Sequence, residues 1–274
     1  MPLTALLLVL AAAIVHASWN MILAGHEDSH SATAVAALAG VVLFAPAAAA
    51  EWRLRASALP YVAGSSALEL LYLVLLATGY TVAAMSFVYP VARGSAPVLV
   101  LVVSVLALGF HPSALVVVGV VLVALGIVLV RGLRERVAAR DLALALGVGA
   151  CIAGYTLVDK RGITRGNPIA YLEVVYGITA TAYVAGVWRV RSGAALRRAL
   201  SPATVLAGVG FFAAYALTLA ALRLAAAAPV AAVRESSVLI ATAALAISGR
   251  ERVGVERLAG AVAVVGGIAL IALG

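Results

Sequence analysis

The chain has 274 residues, of which 65% are hydrophobic and 11% are charged, and its formal net charge is +8. A typical soluble domain carries about 25% charged residues, so this composition excludes a soluble globular protein. The basic residues lie mainly in short connections at the ends of apolar runs, where membrane proteins place lysine and arginine next to anionic headgroups. The positive charge therefore does not indicate a nucleic-acid partner.

Apolar runs of about 20 residues, the length that crosses a bilayer, occur ten times along the chain. They predict ten transmembrane helices, at roughly residues 2–24, 32–50, 58–78, 81–108, 114–131, 141–158, 168–188, 203–222, 224–248 and 256–273. The connections are short, so no soluble domain is predicted between the spans. The first run lacks the basic segment that begins a signal peptide, and we interpret it as the first membrane helix.

Polar residues inside these spans are spaced so that they share helix faces, because residues three or four apart lie on one side of a helix. The sets are His16, Trp19 and Asn20; Ser65, Glu69 and Tyr72; Ser86, Tyr89 and Arg93; Tyr155 and Asp159; Glu173 and Tyr176; and Arg234 and Ser237, with Glu235 adjacent. A helix surrounded by lipid would not collect polar groups on one face. We therefore expect these faces to meet in a shared interior.

The two halves of the chain repeat each other when the sequence is shifted by 141 positions. The shift places Arg93 on Arg234, Gly119 on Gly260 and Gly126 on Gly267. We interpret this as a duplication of a five-helix unit, residues 1–135 and 136–274. Because five is odd, the second copy enters the membrane inverted, as in many secondary transporters with a substrate site near the midplane. The predicted fold is an all-α membrane protein with ten transmembrane helices in two inverted five-helix repeats.

Several segments resemble the EamA-like ten-helix permeases of the drug/metabolite transporter superfamily. They are HASWN at residues 16–20, YPVARGSAP at 89–97, YTLVDKRG at 155–162, and the glycine-rich ends VVVGVVLVALGIVL and LAGAVAVVGGIAL of the two repeats. The resemblance covers essentially the whole chain. It implies transport of metabolites, frequently export, across the cytoplasmic (inner) membrane, and it leaves the substrate open.

Arg93 lies deep in the fourth span, where a charged side chain costs at least ~2.5 kcal/mol. One interpretation is a buried ion pair with Glu235 or Glu69 that fixes helix packing. The other is a cationic anchor for an anionic group of a substrate, a role that Arg234 would share. Pro90, Gly94 and Pro97 surround Arg93 and predict an interruption of this helix around a polar site.

Further candidates follow from depth and residue type. Trp19, Tyr72 and Tyr89, near mid-depth, are predicted to bind substrate with the arginines, and so is Asn20. For Tyr155, Tyr176 and Tyr215 two positions stay open, the lining of the same site and the membrane interface, where tyrosine is common. Glu69, Glu235 and His16 are the candidates for proton coupling, the ordinary pKa of histidine being about 6.5. Asp159 adjoins Lys160 and Arg161 and is interpreted as an interfacial charge.

Enzyme chemistry finds no support in the sequence. The signatures HExxH, GxSxG, CxxC and the phosphate-binding loop are absent from it, so metal hydrolysis, acyl transfer and ATP hydrolysis lack their groups. We predict no enzyme activity, no cofactor and no metal site, and we interpret Cys151 as a packing residue. The leading function is a secondary transporter of a small polar or anionic metabolite, such as an amino acid. A non-transporting membrane scaffold or regulator is the alternative, and a homodimer is left open.

Two arguments give opposite orientations in the membrane. The family resemblance implies that both ends of the chain are cytoplasmic. On that topology the cytoplasmic connections contain six basic residues and the opposite connections contain eleven, although cytoplasmic loops usually carry the excess. We retain the orientation that the resemblance implies as an expectation.

Overall fold

The computed structural model describes residues 1–82, 85–131, 138–247 and 254–274, and it gives the backbone alone for residues 76–82, 85–87, 89, 90, 131, 245, 246 and 257. The helices in chain order are α1 (Leu3–Ala24), α2 (Ser29–Ala50), α3 (Leu59–Val82), α4 (Met85–Leu108), α5 (Ala114–Arg131), α6 (Ala139–Gly162), α7 (Pro168–Arg191), α8 (Gly193–Ala199), α9 (Pro202–Leu224), α10 (Ala227–Arg234), α11 (Ser236–Ile247) and α12 (Val255–Leu273). Single 3₁₀ turns, Ala56–Ala58 and Ile163–Arg165, follow α2 and α6. The predicted all-α class is confirmed.

Eight helical segments within the described residues are long and apolar enough to cross a membrane, and α10 with the first part of α11 forms one of them. The chain is therefore a multi-pass membrane protein, as predicted. Two further apolar segments, Ala114–Val130 in α5 and Leu258–Leu273 in α12, are shorter. The 18 residues of α5 rise about 27 Å at ~1.5 Å per residue, close to the ~30 Å hydrocarbon core. With these two shorter helices counted, ten transmembrane spans remain the prediction.

The interruption expected in the fourth span is wrong, because α4 is continuous across Pro90, Gly94 and Pro97. Each proline removes one main-chain hydrogen bond, and the rest of α4 stays helical where it packs on α5 and α6. Gly94 serves close packing: a β-carbon there would lie 3.0 Å from the carbonyl oxygen of Ala124 on α5. The interruption lies instead in the second half, where Glu235 separates α10 from α11.

Polar caps define where several of the apolar helices begin. Within the described ends, Asp28 accepts a hydrogen bond from the Ser31 N–H at 3.2 Å at the start of α2. Asn167 does the same for α7, accepting from the Ile169 N–H at 2.8 Å. Such caps satisfy main-chain donors that lack a partner in the first turn of a helix. The caps therefore reduce the number of unpaired main-chain donors at the starts of these two helices.

The helices pack in pairs that bring the two halves of the chain into contact. Helix α1 packs on α9, and α3 packs on α6; α4 packs on α6, and α1 on α10 and α11. Helix α2 contacts both α7 and α9, and α5 packs along α12. The polar faces of α1, α3, α4, α6, α7, α9 and α10 consequently surround one interior.

Two glycine pairs let α5 and α12 approach closely. A β-carbon added at Gly267 would lie 2.6 Å from the carbonyl oxygen of Gly119, and one added at Gly260 would lie 2.7 Å from that of Gly126. Small residues at such crossings allow helix backbones to touch in membranes. The pairing runs in opposite chain directions, so α5 and α12 are antiparallel. These glycines therefore serve the packing of α5 against α12.

Replacing Gly267 by alanine is expected to destabilise the protein by about 1–3 kcal/mol, the usual cost of overpacking, because the new methyl group meets the backbone of α5. The adjacent Gly266 is the matched control, since a β-carbon there has no neighbour within 4 Å. Gly266→Ala should be neutral or gain about 0.5–1 kcal/mol from helix propensity. Unfolding of both variants in mixed micelles tests this, and equal stability of the two would contradict it.

Candidate functional site

A cavity lies in the shared interior of the helices and has a volume of about 80 Å³. Its polar and aromatic lining residues include His16, Trp19, Glu69, Tyr72, Arg93, Tyr155, Tyr176, Phe211, Tyr215 and Arg234. Six of these were predicted as site residues from the sequence. The expectation that the polar helix faces meet in one place is therefore confirmed for these residues, which we call the central cavity residues.

Glu235 holds the two intramembrane arginines together. Its Oε1 atom lies 3.1 Å from Nη1 of Arg93 and 3.6 Å from Nη2 of Arg234. All three side chains are buried, and two cations share one carboxylate. Glu235 occupies the residue between α10 and α11, where its N–H bonds to the carbonyl oxygen of Ala232 at 3.2 Å. The helix interruption thus positions the carboxylate between the arginines.

His16 forms a second contact with Arg93, with 2.6 Å between its Nε2 atom and Nη2 of the arginine. A guanidinium group has donors and no acceptor, so the N–H of Arg93 donates and the Nε2 atom of His16 accepts. In this arrangement the imidazole is neutral and carries its proton on Nδ1. His16, Arg93 and Glu235 therefore link α1, α4 and the α10–α11 junction through one guanidinium group.

Some hydrogen-bond donors around the cavity have a protein partner and others have none. Arg234 donates from Nη2 to the Tyr155 hydroxyl at 3.3 Å, and its guanidinium carbon lies 5.8 Å from the centre of the Tyr215 ring. The buried Nε of Arg234 and the buried indole nitrogen of Trp19 have no hydrogen-bond partner among the described residues. Buried donors normally find a partner, so these two are available to a ligand or to water.

Aromatic rings form a continuous wall along the cavity. His16 meets Trp19 edge to face at 4.9 Å between ring centres, and Trp19 meets Phe211 at 5.1 Å. Phe211 stacks on Tyr176 at 4.7 Å, and Tyr176 stacks on Tyr215 at 5.7 Å. These rings offer flat, rigid surfaces with polar edges to a ligand.

The structure decides between the two positions left open for three tyrosines. Tyr155, Tyr176 and Tyr215 are buried and line the cavity. The sequence left their position open because tyrosine is also common at membrane surfaces, and residue type alone cannot distinguish the two positions. The helical spacing of Tyr155 and Asp159 was a signal of an inward face.

The interpretation of Asp159 as an interfacial charge is wrong, since this residue is fully buried. Its Oδ1 accepts a hydrogen bond from the Tyr171 hydroxyl at 2.8 Å, and its Oδ2 accepts one from the Tyr215 hydroxyl. Helix α6 continues to Gly162, three residues beyond Asp159, so the carboxylate lies inside the bundle. The neighbouring Lys160 donates instead to the carbonyl oxygens of Leu222 and Ala225 at the end of α9.

A second cavity of about 360 Å³ joins the first and leads to one membrane face. The two share lining residues His16, Trp19, Tyr72, Leu73, Arg93 and Phe211. The second cavity continues past Asn20 to His26 and His30, at the connection between α1 and α2. Toward the opposite face, the contacts of Asp159 with Tyr171 and Tyr215 join α6, α7 and α9.

The predicted site residues are distributed as follows. Arg93, Arg234, Trp19, Tyr72, Glu69 and His16 line the central cavity, Asn20 lines the second cavity, and Glu235 is buried between the arginines. The side chain of Tyr89 lies outside the described residues. Within the described part of the chain, no group of three or more metal-ligating side chains is present, and Cys151 is buried.

The groups around the cavity suit a small polar ligand. The arginines and unpartnered donors suit anionic oxygens, the carboxylate of Glu69 suits a cationic or protonated group, and the rings suit an apolar part. A path to one face lets a ligand enter or leave.

Comparisons with known proteins agree with this description. A crystal structure of another protein has the same fold over 100% of this chain and 98% of that chain, with a TM-score of 0.75 and 19% sequence identity. No curated protein sequence is significantly similar to this chain. The sequence model of the EamA-like transporter family matches residues 140–273. These residues belong to the EamA-like transporter family, which confirms the family that the sequence motifs predict.

Proposed function

We propose that this chain is a secondary transporter of a small metabolite with an anionic group, and that a zwitterion such as an amino acid fits the cavity best. Family membership supports membrane transport, and the chemistry of the cavity supports the substrate class. The observation that carries the proposal is the pair of buried arginines, Arg93 and Arg234, beside one shared carboxylate.

The substrate class follows from the balance of charges and donors. Two guanidinium groups share the carboxylate of Glu235, and a substrate carboxylate beside them would accept further charge-assisted hydrogen bonds from the same cluster. The free donors of Arg234 and Trp19 match carboxylate oxygens. Glu69 lines the same cavity and offers a partner for an ammonium group.

Alternating access is supported by the asymmetry of the two membrane faces. The second cavity leads from Arg93 toward the α1–α2 connection. Toward the opposite face, the hydrogen bonds of Asp159 with Tyr171 and Tyr215 connect α6, α7 and α9. A transporter would exchange this state with one open at the other face. We expect export to be the physiological direction, from the cytoplasm across the inner membrane.

Inverted repeats would supply the two states, and the helix packing supports them. When α1–α5 are matched in order with α6, α7, α9, α10–α11 and α12, the contact of α1 with α9 corresponds to that of α6 with α3. The contact of α4 with α6 corresponds likewise to that of α10–α11 with α1. The same matching converts the contact of Gly119 with Gly267 into the contact of Gly260 with Gly126.

Flux measurements in liposomes test the proposal. Purified protein is reconstituted, and uptake of labelled amino acids and other metabolite anions is measured with and without a pH gradient. We expect counterflow of at least one anionic or zwitterionic solute, unchanged in Arg189→Ala, a control at an exposed arginine of α7. Absence of flux across a broad panel would favour the non-transporting scaffold.

Coupling to protons is expected to depend on Glu69. Its carboxyl group lines the cavity, whereas Glu235 is held by two arginines. For a solute without an ammonium group, Glu69→Gln should leave exchange intact and abolish accumulation driven by a pH gradient, because the amide cannot carry a proton. Equal loss of exchange and accumulation would assign Glu69 to binding or folding instead. The exposed Glu256 provides the control variant Glu256→Gln, which should change neither.

A further inference from the structure

A basic cleft of about 520 Å³ lies at the membrane face where α2 ends and α7 begins. It is formed by the connection between α2 and α3, the connection between α6 and α7, and the end of α9. Four of its lining residues are arginines: Arg53, Arg55, Arg165 and Arg223. The cleft shares no lining residue with the central cavity, so it is a separate feature of the structure.

The main chain fixes the two connections against each other. Leu54 and Gly166 form an isolated antiparallel bridge, in which the N–H of Arg55 donates to the carbonyl oxygen of Arg165 at 3.1 Å. A β-carbon at Gly166 would lie 3.2 Å from the Cα atom of Leu54, so a glycine is required for this approach. Arginines from both connections are thereby held at one place.

The arginines of the cleft are poorly neutralised by the protein itself. Arg53 contacts Glu51 at 3.4 Å, and the guanidinium carbon of Arg165 lies 4.2 Å from the centre of the Tyr61 ring. Within the described part of the chain, Arg55 and Arg223 have no carboxylate partner, and both are exposed. Several guanidinium groups therefore face the cleft with few counter-charges.

We infer that this cleft binds a phosphate group, supplied either by the headgroup of an anionic phospholipid or by free phosphate. Planar guanidinium groups donate paired hydrogen bonds to phosphate oxygens. The position at the membrane face brings the cleft level with lipid headgroups, and the exposed Trp52 beside it is a residue type found at that level. A phosphate contacted from both connections would stabilise the bridge between them.

The binding experiment uses the full chain purified in a neutral detergent and measures the unfolding temperature against ligand concentration. The three ligands are short-chain phosphatidylglycerol, short-chain phosphatidylcholine and inorganic phosphate. The test variant carries Arg55→Gln with Arg223→Gln, because neither side chain supports another part of the described structure. The control is Arg189→Gln, an exposed arginine near the opposite end of α7.

Phosphatidylglycerol is expected to raise the unfolding temperature of the unchanged protein and of the control. Each arginine near an anionic surface contributes about fivefold in affinity, so the double variant should bind about 25-fold more weakly. An effect of phosphatidylglycerol without an effect of phosphate identifies a lipid headgroup as the ligand. Stabilisation by inorganic phosphate with the same arginine dependence identifies free phosphate.

The inference is overturned if none of the ligands stabilises the protein. It is also overturned if the double variant binds phosphatidylglycerol and phosphate as tightly as the control does, or if phosphatidylcholine stabilises all forms equally with phosphatidylglycerol. Because the readout is binding, these outcomes do not depend on whether the chain transports a solute.

Discussion

Replacing Glu235 by alanine is expected to lower the free energy of unfolding by about 3–5 kcal/mol, the usual cost of breaking a buried ion pair. The loss is large because one carboxylate serves both Arg93 and Arg234, and its removal leaves two buried cations. Arg93→Ala should cost less, since Glu235 then still faces Arg234. Unfolding in mixed micelles, followed by tryptophan fluorescence, gives the order of the two variants.

The control for this measurement is Glu256→Ala, which removes an exposed carboxylate at the start of α12 and should change stability little. If Glu235→Ala were no less stable than Glu256→Ala, the ion cluster would contribute nothing to folding. If Arg93→Ala were the less stable of the two cluster variants, Glu235 would not be the shared partner of both arginines.

The helices were predictable from the sequence because hydrophobic length is a property of a local segment. Each of the ten apolar runs contains helix, and the ends differ by a few residues. The short helix α8 was not predicted, because its seven residues are too few for a periodic pattern. The interruption at Glu235 was also missed, because no proline or glycine flanks it directly, while the prolines around Arg93 suggested a break that tertiary packing prevents.

Those residues of the candidate site that are charged and lie within apolar runs were predictable from residue type alone. A charge within an apolar run indicates function or pairing, and this rule found Arg93, Arg234, Glu69 and Glu235. It failed for Asp159, because the neighbouring Lys160 made the segment look like the end of a helix. Only the three-dimensional path of α6 shows that one side chain turns inward while the next reaches the carbonyl oxygens of α9.

Variants of Arg93 distinguish its role as a packing ion pair from its role as a substrate anchor. Its guanidinium group contacts Glu235 and His16 at once, and lysine keeps the charge but loses the planar fork that makes both contacts. We expect Arg93→Lys to remain folded and to bind the transported solute at least about tenfold more weakly, the value of one charge-assisted hydrogen bond. Arg93→Ala should abolish binding and transport.

The double variant Arg93→Ala with Glu235→Ala decides between the interpretations, because it removes both partners of the shorter contact. If Arg93 only packs against Glu235, the double variant should be more stable than Glu235→Ala and should transport normally. If Arg93 anchors the substrate, stability should recover in part, since Arg234 still has the Tyr155 hydroxyl, while counterflow and solute-induced stabilisation remain absent. Recovery of folding together with normal counterflow would exclude the anchor role, and with it the anionic substrate site proposed around Arg93.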